Sequence, residues 1–347
     1  MRHRNSTLSS NSYSAMSDDS SRSDNRDDAA AARAKLMTLS ERISRATIDV
    51  VWRQWSAIGG MATTKHRAKS LVDPEALVLI SLTLLPTEPR LGDLVADWTA
   101  RNSDLLSVQR LRNLERRYPT ATRERLQRLA RVALEEGKDH RWKSLLGDKS
   151  GVLTRRGTKS RAVRAQAVES PAAVLRFRLA FGVGIKADLF SYLLSTDEGA
   201  GASVAVISLA TGYTVAAVRR AASDLAEAHF ILPVADDAAI ADTRIHYRVQ
   251  QEGWREVLGI EHLAKWRGWN ERFVFVAAFL DWVAETADRP LTAYVLESRG
   301  RDLIEEHLNA FRWQRVWQSE NSDRGAGRDG VLTSAVGALG TWMLREV

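Results

Sequence analysis

The chain has 347 residues, 44% hydrophobic and 27% charged, with 50 Lys and Arg against 43 Asp and Glu for a formal charge of +7. It holds no cysteine, which excludes disulfides, thiolate metal sites and cysteine nucleophiles, and no stretch approaches the roughly 18 consecutive apolar residues of a membrane helix. The length suits two or three domains at about 100 to 200 residues each.

Residues 1–35 are rich in Ser, Asp, Asn and Arg and lack an apolar centre. They read as a disordered tail and not as an export signal, so a cytoplasmic location is expected. An N-terminal helical bundle is expected over 36–146. It starts near Thr38, where Thr38 and Glu41 have the capping-box spacing and Ile48, Val51, Trp52 and Trp55 recur at helical intervals. Asp73, Pro74 and Glu75 read as N-cap, first-turn proline and an acid suited to the positive helix end, leading into Val78, Leu79 and Ile80. Pro86 and Pro89 break that helix, and Leu91, Leu94, Val95 and Trp98 restart the stripe. Val108, Leu111 and Leu114, then Leu126, Leu129, Ala130 and Ala133, continue it among Arg110, Arg112, Arg116, Arg117 and further arginines through Arg131. Those arginines suit either solvated helix faces or a surface that tracks phosphates.

Over 147–170 the apolar stripes lapse and Arg155, Arg156, Lys159, Arg161 and Arg164 crowd together. This basic linker is read as a spacer or as an arm that reaches DNA. Residues 101–170 carry 18 basic against 8 acidic residues, whereas 171–250 carry 7 against 8. The positive charge therefore precedes the most informative segment.

That segment is a domain expected over 171–252. Ile185–Leu194 forms a leading helix, Ile207 anchors a second, Ser208 is small where helices cross, and Gly212 supplies a positive-φ turn plugged by Tyr213. Thr214 caps the next helix, which turns Val218, Ala221, Leu225 and Ala228 inward and Val215, Ala216, Arg219, Arg220 and Ser223 outward. Residues 230–234 and 245–249 read as strands around a wing at 235–244. Through Thr211-Gly212-Tyr213-Thr214, Val218-Arg219-Arg220 and the strand, wing and strand, the segment resembles the winged-helix superfamily of bacterial regulators, similar to the MarR and ArsR groups. The resemblance implies a homodimeric transcriptional regulator, a repressor, that binds double-stranded DNA without a cofactor. Thr214, Val215, Ala216, Arg219, Arg220 and Ser223 would then face the major groove, and Arg244 at the wing base would approach the backbone. Asp236, Asp237 and Asp242 depart from the basic wings usual in such regulators. The alternative is a protein-interaction module. The flanks, Asp73 to Leu77 and Pro89 to Leu91, resemble regulators or antitoxin-like partners of nucleotidyltransferase-type toxins, which implies a toxin or phage-defence component as partner.

A C-terminal helical domain is expected over 253–318, with Phe273, Val276, Ala277 and Leu280 on one stripe and the tryptophans Trp254, Trp266, Trp269, Trp282, Trp313 and Trp317 in its core. Residues 319–347 read as a flexible linker followed by a short amphipathic helix bearing Leu332, Ala335, Val336, Leu339, Trp342 and Met343. A helix of that length is marginal alone, so its stripe must dock, with a twin subunit favoured over its own domain. No phosphate loop, nucleophile elbow, dinucleotide fingerprint or metal-ligand spacing is present. The expectation is a mainly α protein with a central winged helix-turn-helix carrying a small β-hairpin, and no catalytic, cofactor or metal site.

Overall fold

The structure, a computed structural model, describes residues 14–60, 68–147, 165, 167–196, 201–234, 245–286, 289, 292–312, 316 and 330–346. It is mainly helical, with one small antiparallel sheet of three strands. In chain order the elements are α1 (Ser14–Ala57), α2 (Pro74–Thr83), α3 (Arg90–Asn102), α4 (Val108–Glu115), α5 (Thr120–Glu135), α6 (Ala173–Phe181), α7 (Ile185–Leu194), β1 (Ala202–Ser203), α8 (Val204–Thr211), α9 (Val215–Glu227), β2 (Leu232–Val234), β3 (His246–Arg248), α10 (Gln251–Leu258), α11 (Trp269–Thr286), α12 (Ala293–Glu306), α13 (Asn309–Arg312) and α14 (Gly330–Arg345). No helix among the described residues is long and apolar enough to cross a membrane.

α2 is the centre of the bundle. Asp73 caps it by accepting from the Ala76 N–H at 3.2 Å, and its residues from Pro74 to Leu82 are buried beneath α1, α3, α4, α5 and α11. Trp55 of α1 and Trp98 of α3 meet edge to face at 5.4 Å beside it, which suits the ring quadrupoles. Both indole N–H groups are satisfied, by Ser81 Oγ at 2.9 Å and the Ile58 carbonyl at 3.2 Å.

α1 starts at Ser14, so residues 14–35, expected to be disordered, are helical. The alanine-rich stretch 29–34 favours helix, and Ala32, Leu36, Leu39 and Ile43 prolong a buried stripe against α12 and α14. Thr38, expected as a cap, lies within the helix and donates to the Ala34 carbonyl at 2.9 Å.

The final helix also finds its cover inside the chain. Leu332, Ala335, Val336, Leu339 and Met343 are buried against α1 and α12, and Thr47 Oγ1 lies 3.7 Å from Met343 Sδ. The expected docking of this stripe on a twin subunit is therefore corrected, because α1 already occupies it. Trp342 takes the Arg272 guanidinium over its ring at 3.9 Å. Of the tryptophans expected in the C-terminal core, Trp269 is buried and Trp254, Trp266 and Trp282 pack against the core; Trp313 and Trp317 lie outside the described residues.

The sheet has the order β1-β3-β2. Ala202 pairs Tyr247 and Ser203 pairs His246, while Leu232, Pro233 and Val234 pair Arg248, Tyr247 and His246. Pro233 donates nothing to the ladder and is confined to an edge strand. Both hairpin strands are shorter than their apolar runs, and β1 carries no sequence signal because two residues are too few for a period.

Candidate nucleic-acid interface

The pair α8 and α9 is built as its sequence dictates. Ser203 caps α8 by accepting from the Val206 N–H at 3.4 Å. α8 ends on Gly212 at φ +75°, whose N–H donates to the Ser208 carbonyl at 2.9 Å. Only glycine occupies that region without strain. Ser208 Oγ donates across the corner to the Tyr213 carbonyl at 2.6 Å. Thr214 then caps α9, accepting from the Ala217 N–H at 3.4 Å.

α9 divides cleanly into two faces. Val218, Ala221, Ala222 and Leu225 are buried; Ala228, expected inward, is exposed because the helix ends at Glu227. Thr214, Val215, Ala216, Arg219, Arg220 and Ser223 are all exposed. Among the described residues no hydrogen bond or ion pair engages the Arg219 or Arg220 side chain, and Asp224 pairs with Lys186 of α7 at 2.8 Å. Arg244, with the rest of 235–244, and Arg155, Arg156, Lys159, Arg161 and Arg164 lie outside the described residues. The basic segment re-enters the structure at Ala165, whose N–H donates to Asn102 Oδ1 at 2.8 Å.

What orients α9 is a buried polar network. Glu75 accepts from Arg178 Nη1 at 2.7 Å and Nη2 at 2.8 Å, from Arg110 Nη1 at 2.7 Å and from the Ser107 N–H at 2.7 Å. Arg178 also grips Asp188 through Nε at 2.8 Å and Nη2 at 3.0 Å, and donates to the Leu105 carbonyl at 2.8 Å. All five of its N–H groups are thereby used. Arg110 forks onto Asp73 at 2.5 and 2.6 Å and sends Nε to the Thr211 carbonyl at 2.6 Å. Tyr213 donates its hydroxyl to Asp188 Oδ2 at 2.8 Å and meets Ser107 Oγ at 3.2 Å. The turn before α9 is thus fastened to α4 and α7 at both of its ends.

Burial alone would push the Glu75 carboxyl up, but the charge and hydrogen bonds of Arg178, then Arg110 and the Ser107 N–H, hold it down at about 2. Burial opposes the charged form of Arg178 as well, and the opposing pull of Asp188 and Glu75 raises its pKa well above the ordinary value. Two guanidiniums face three carboxylates here, and every carboxylate accepts from at least one guanidinium, so the network is a closed set of charge-assisted hydrogen bonds. A cavity of about 30 Å³ touches Asp73, Arg110, Arg178 and Asp188, which is room for about one or two waters.

The sequence gives Asp73 its capping role but no hint of this network beyond three oddities. Glu75 is the one charged residue of α2, and Arg178 and Asp188 stand between apolar neighbours in α6 and α7, which also carry Arg176 and Lys186; a charge on a buried face must meet a partner. No group of three or more His, Asp or Glu among the described residues is arranged to hold a metal ion. Comparison with protein-family models, curated proteins and solved structures finds no match to this chain.

Proposed function

We propose that this chain is a sequence-specific regulator of transcription acting on double-stranded DNA in the cytoplasm, with residues 171–252 forming a winged helix-turn-helix domain and α9 entering the major groove. The observation that carries the reading is the exposed face of α9, where Arg219 and Arg220 stand unengaged among the described residues on a helix whose entry is held by a buried network. Free guanidiniums on a rigid helix can pair bidentately with guanine, and Val215 can meet a thymine methyl. The order helix, strand, helix, helix, strand, strand with sheet order β1-β3-β2 also supports it. Repression by a homodimer on two half-sites about one DNA turn apart is the mode we favour. The α14 stripe is occupied within the chain, so the second copy would meet another surface.

The test is selection of genomic fragments by the purified chain, followed by titration of the selected duplex with Arg219→Ala and Arg220→Ala. Each substitution removing a base contact should weaken binding by about 1 to 3 kcal/mol while the circular dichroism spectrum stays unchanged. Absence of any selected sequence, or unaltered affinity in both variants, would refute the reading.

A second reading draws on a different observation. Val206, Leu209 and Val215 are 43%, 40% and 43% exposed on α8 and α9, an apolar patch that would suit a protein partner such as a toxin or phage-defence component. A stoichiometric protein recovered with the tagged chain, with no preferred DNA, would favour it.

A further inference from the structure

We infer that the outer face of α4 is a phosphate clamp, in which Arg112 and Arg116 grip the backbone of the same duplex that α9 enters. The inference rests on the reading of α9 as a DNA-contacting helix.

The arginines that crowd α4 and α5 in the sequence separate into two sets in the fold. Arg110 is buried and spent on Asp73, Glu75 and the Thr211 carbonyl. Arg117 forks onto Glu271 at 2.5 and 2.8 Å, and Arg125 donates to the Leu82 carbonyl at 2.9 Å. These three hold the bundle together. Arg112 and Arg116 are different: both are exposed, and no hydrogen bond or ion pair engages either among the described residues. Arg116 is the C-cap of α4 and keeps helical backbone angles at φ -62° and ψ -21°, so, four residues after Arg112, it falls on the same face. Glu115 feels the charge of Arg123 first and of Arg112 and Arg116 after it, so three cations share one carboxylate and positive charge is in excess.

The helix that carries them is held against the turn that precedes α9. Asn113, between them on α4, donates Nδ2 to the Gly212 carbonyl at 3.2 Å. Arg110 holds the preceding carbonyl, and a Cβ on Gly212 would lie 3.0 Å from Leu114 Cδ2, so α4 and the turn are in direct contact. Gly212 is two residues before Thr214, the cap at which the exposed face of α9 begins. A duplex whose major groove receives that end of α9 presents a phosphate strand along the groove edge, with one negative charge per 3.4 Å of each strand. Two unengaged guanidiniums on a helix packed against the turn would meet that strand by ordering their side chains alone, without the backbone ordering that a flexible arm requires. Backbone contacts of this kind set orientation and affinity but read no sequence.

Fluorescence anisotropy on the selected duplex and on a scrambled duplex, each over a salt series, tests the clamp. The proteins are the full chain, Arg112→Gln/Arg116→Gln, Arg112→Lys/Arg116→Lys, Arg219→Ala and Arg220→Ala. The glutamine pair should weaken both duplexes by the same factor and flatten the salt slope by about 1.8, near 0.9 per lost contact, leaving the ratio of the two affinities unchanged. The lysine pair should keep the slope. A wild-type slope in the glutamine pair, while Arg219→Ala still lowers the preference for the selected duplex, overturns the clamp and leaves α9 intact as the reading helix. Equal loss with the glutamine pair, together with unaltered affinity in both Arg219→Ala and Arg220→Ala, would overturn the role of α9 and with it a clamp built around that helix. A wild-type chain that binds neither duplex overturns both.

Discussion

Replacing Arg178 with methionine removes the central cation of the buried network while filling much of its volume. Its side chain has no exposed surface, and every one of its donors is engaged by Glu75, Asp188 or the Leu105 carbonyl. Removing one partner of a buried ion pair costs about 3 to 5 kcal/mol, because the abandoned charge stays buried. That is a large share of the roughly 5 to 15 kcal/mol that holds a domain folded. The loss should also depend on pH. In the wild type, Glu75 sits at about 2, below its ordinary 4.5, so its contribution is present above pH 4.5 and fades as pH falls toward 2. Without Arg178 the largest charge holding Glu75 down is gone and its carboxyl moves up from about 2, so the stability that its ionisation contributes is smaller in the variant and fades at a higher pH than in the wild type. The stability gap between wild type and variant is then widest near neutrality and narrows toward pH 4. Urea unfolding followed by tryptophan fluorescence at pH 7.5 and 4.5 reads both quantities. A gap below about 1 kcal/mol, or one equal at both pH values, would refute the account. Adding Asp188→Asn to Arg178→Met should recover part of the loss, since it discharges one of the two abandoned carboxylates.

Gly212→Ala places a Cβ at φ +75° and 3.0 Å from Leu114 Cδ2, and should cost about 1 to 2 kcal/mol, read as a lowered urea midpoint. Gly300→Leu meets Leu332, whose Cβ would be 2.8 Å from the new Cβ. It should part α12 from α14 at about 1 to 3 kcal/mol, whereas Gly253→Ala on α10, with nothing within 4 Å, should stabilise by up to about 1 kcal/mol; differential scanning calorimetry separates the two. Deleting residues 330–347 uncovers the stripe from Ala32 to Ile43. The deletion should lower the melting temperature without changing the sedimenting mass, and an unchanged melting temperature with a halved mass would return the tail to a subunit interface.

Local patterns in the sequence determine a good deal of this protein. Asp73, Pro74 and Glu75 start α2 where the structure starts it, and Thr214 caps α9. The spacing of Val218, Ala221 and Leu225 leaves Arg219 and Arg220 outside, as observed. Capping, positive φ and helical period act over a handful of residues, so they are written in consecutive ones. Only the tertiary structure decides that Glu75 meets Arg178 across 103 positions, that Arg117 reaches Glu271 across 154, and that Thr47 meets Met343 across 296. It decides as well that α1 extends back to Ser14, and that Arg112 of α4 and its C-cap Arg116 stay unengaged among the described residues while Arg110 and Arg117 are consumed. A charged residue in an apolar helix announces that it needs a partner but cannot name one. The partner is set by which helix faces arrive together, and that is a property of the packed chain rather than of any segment of it.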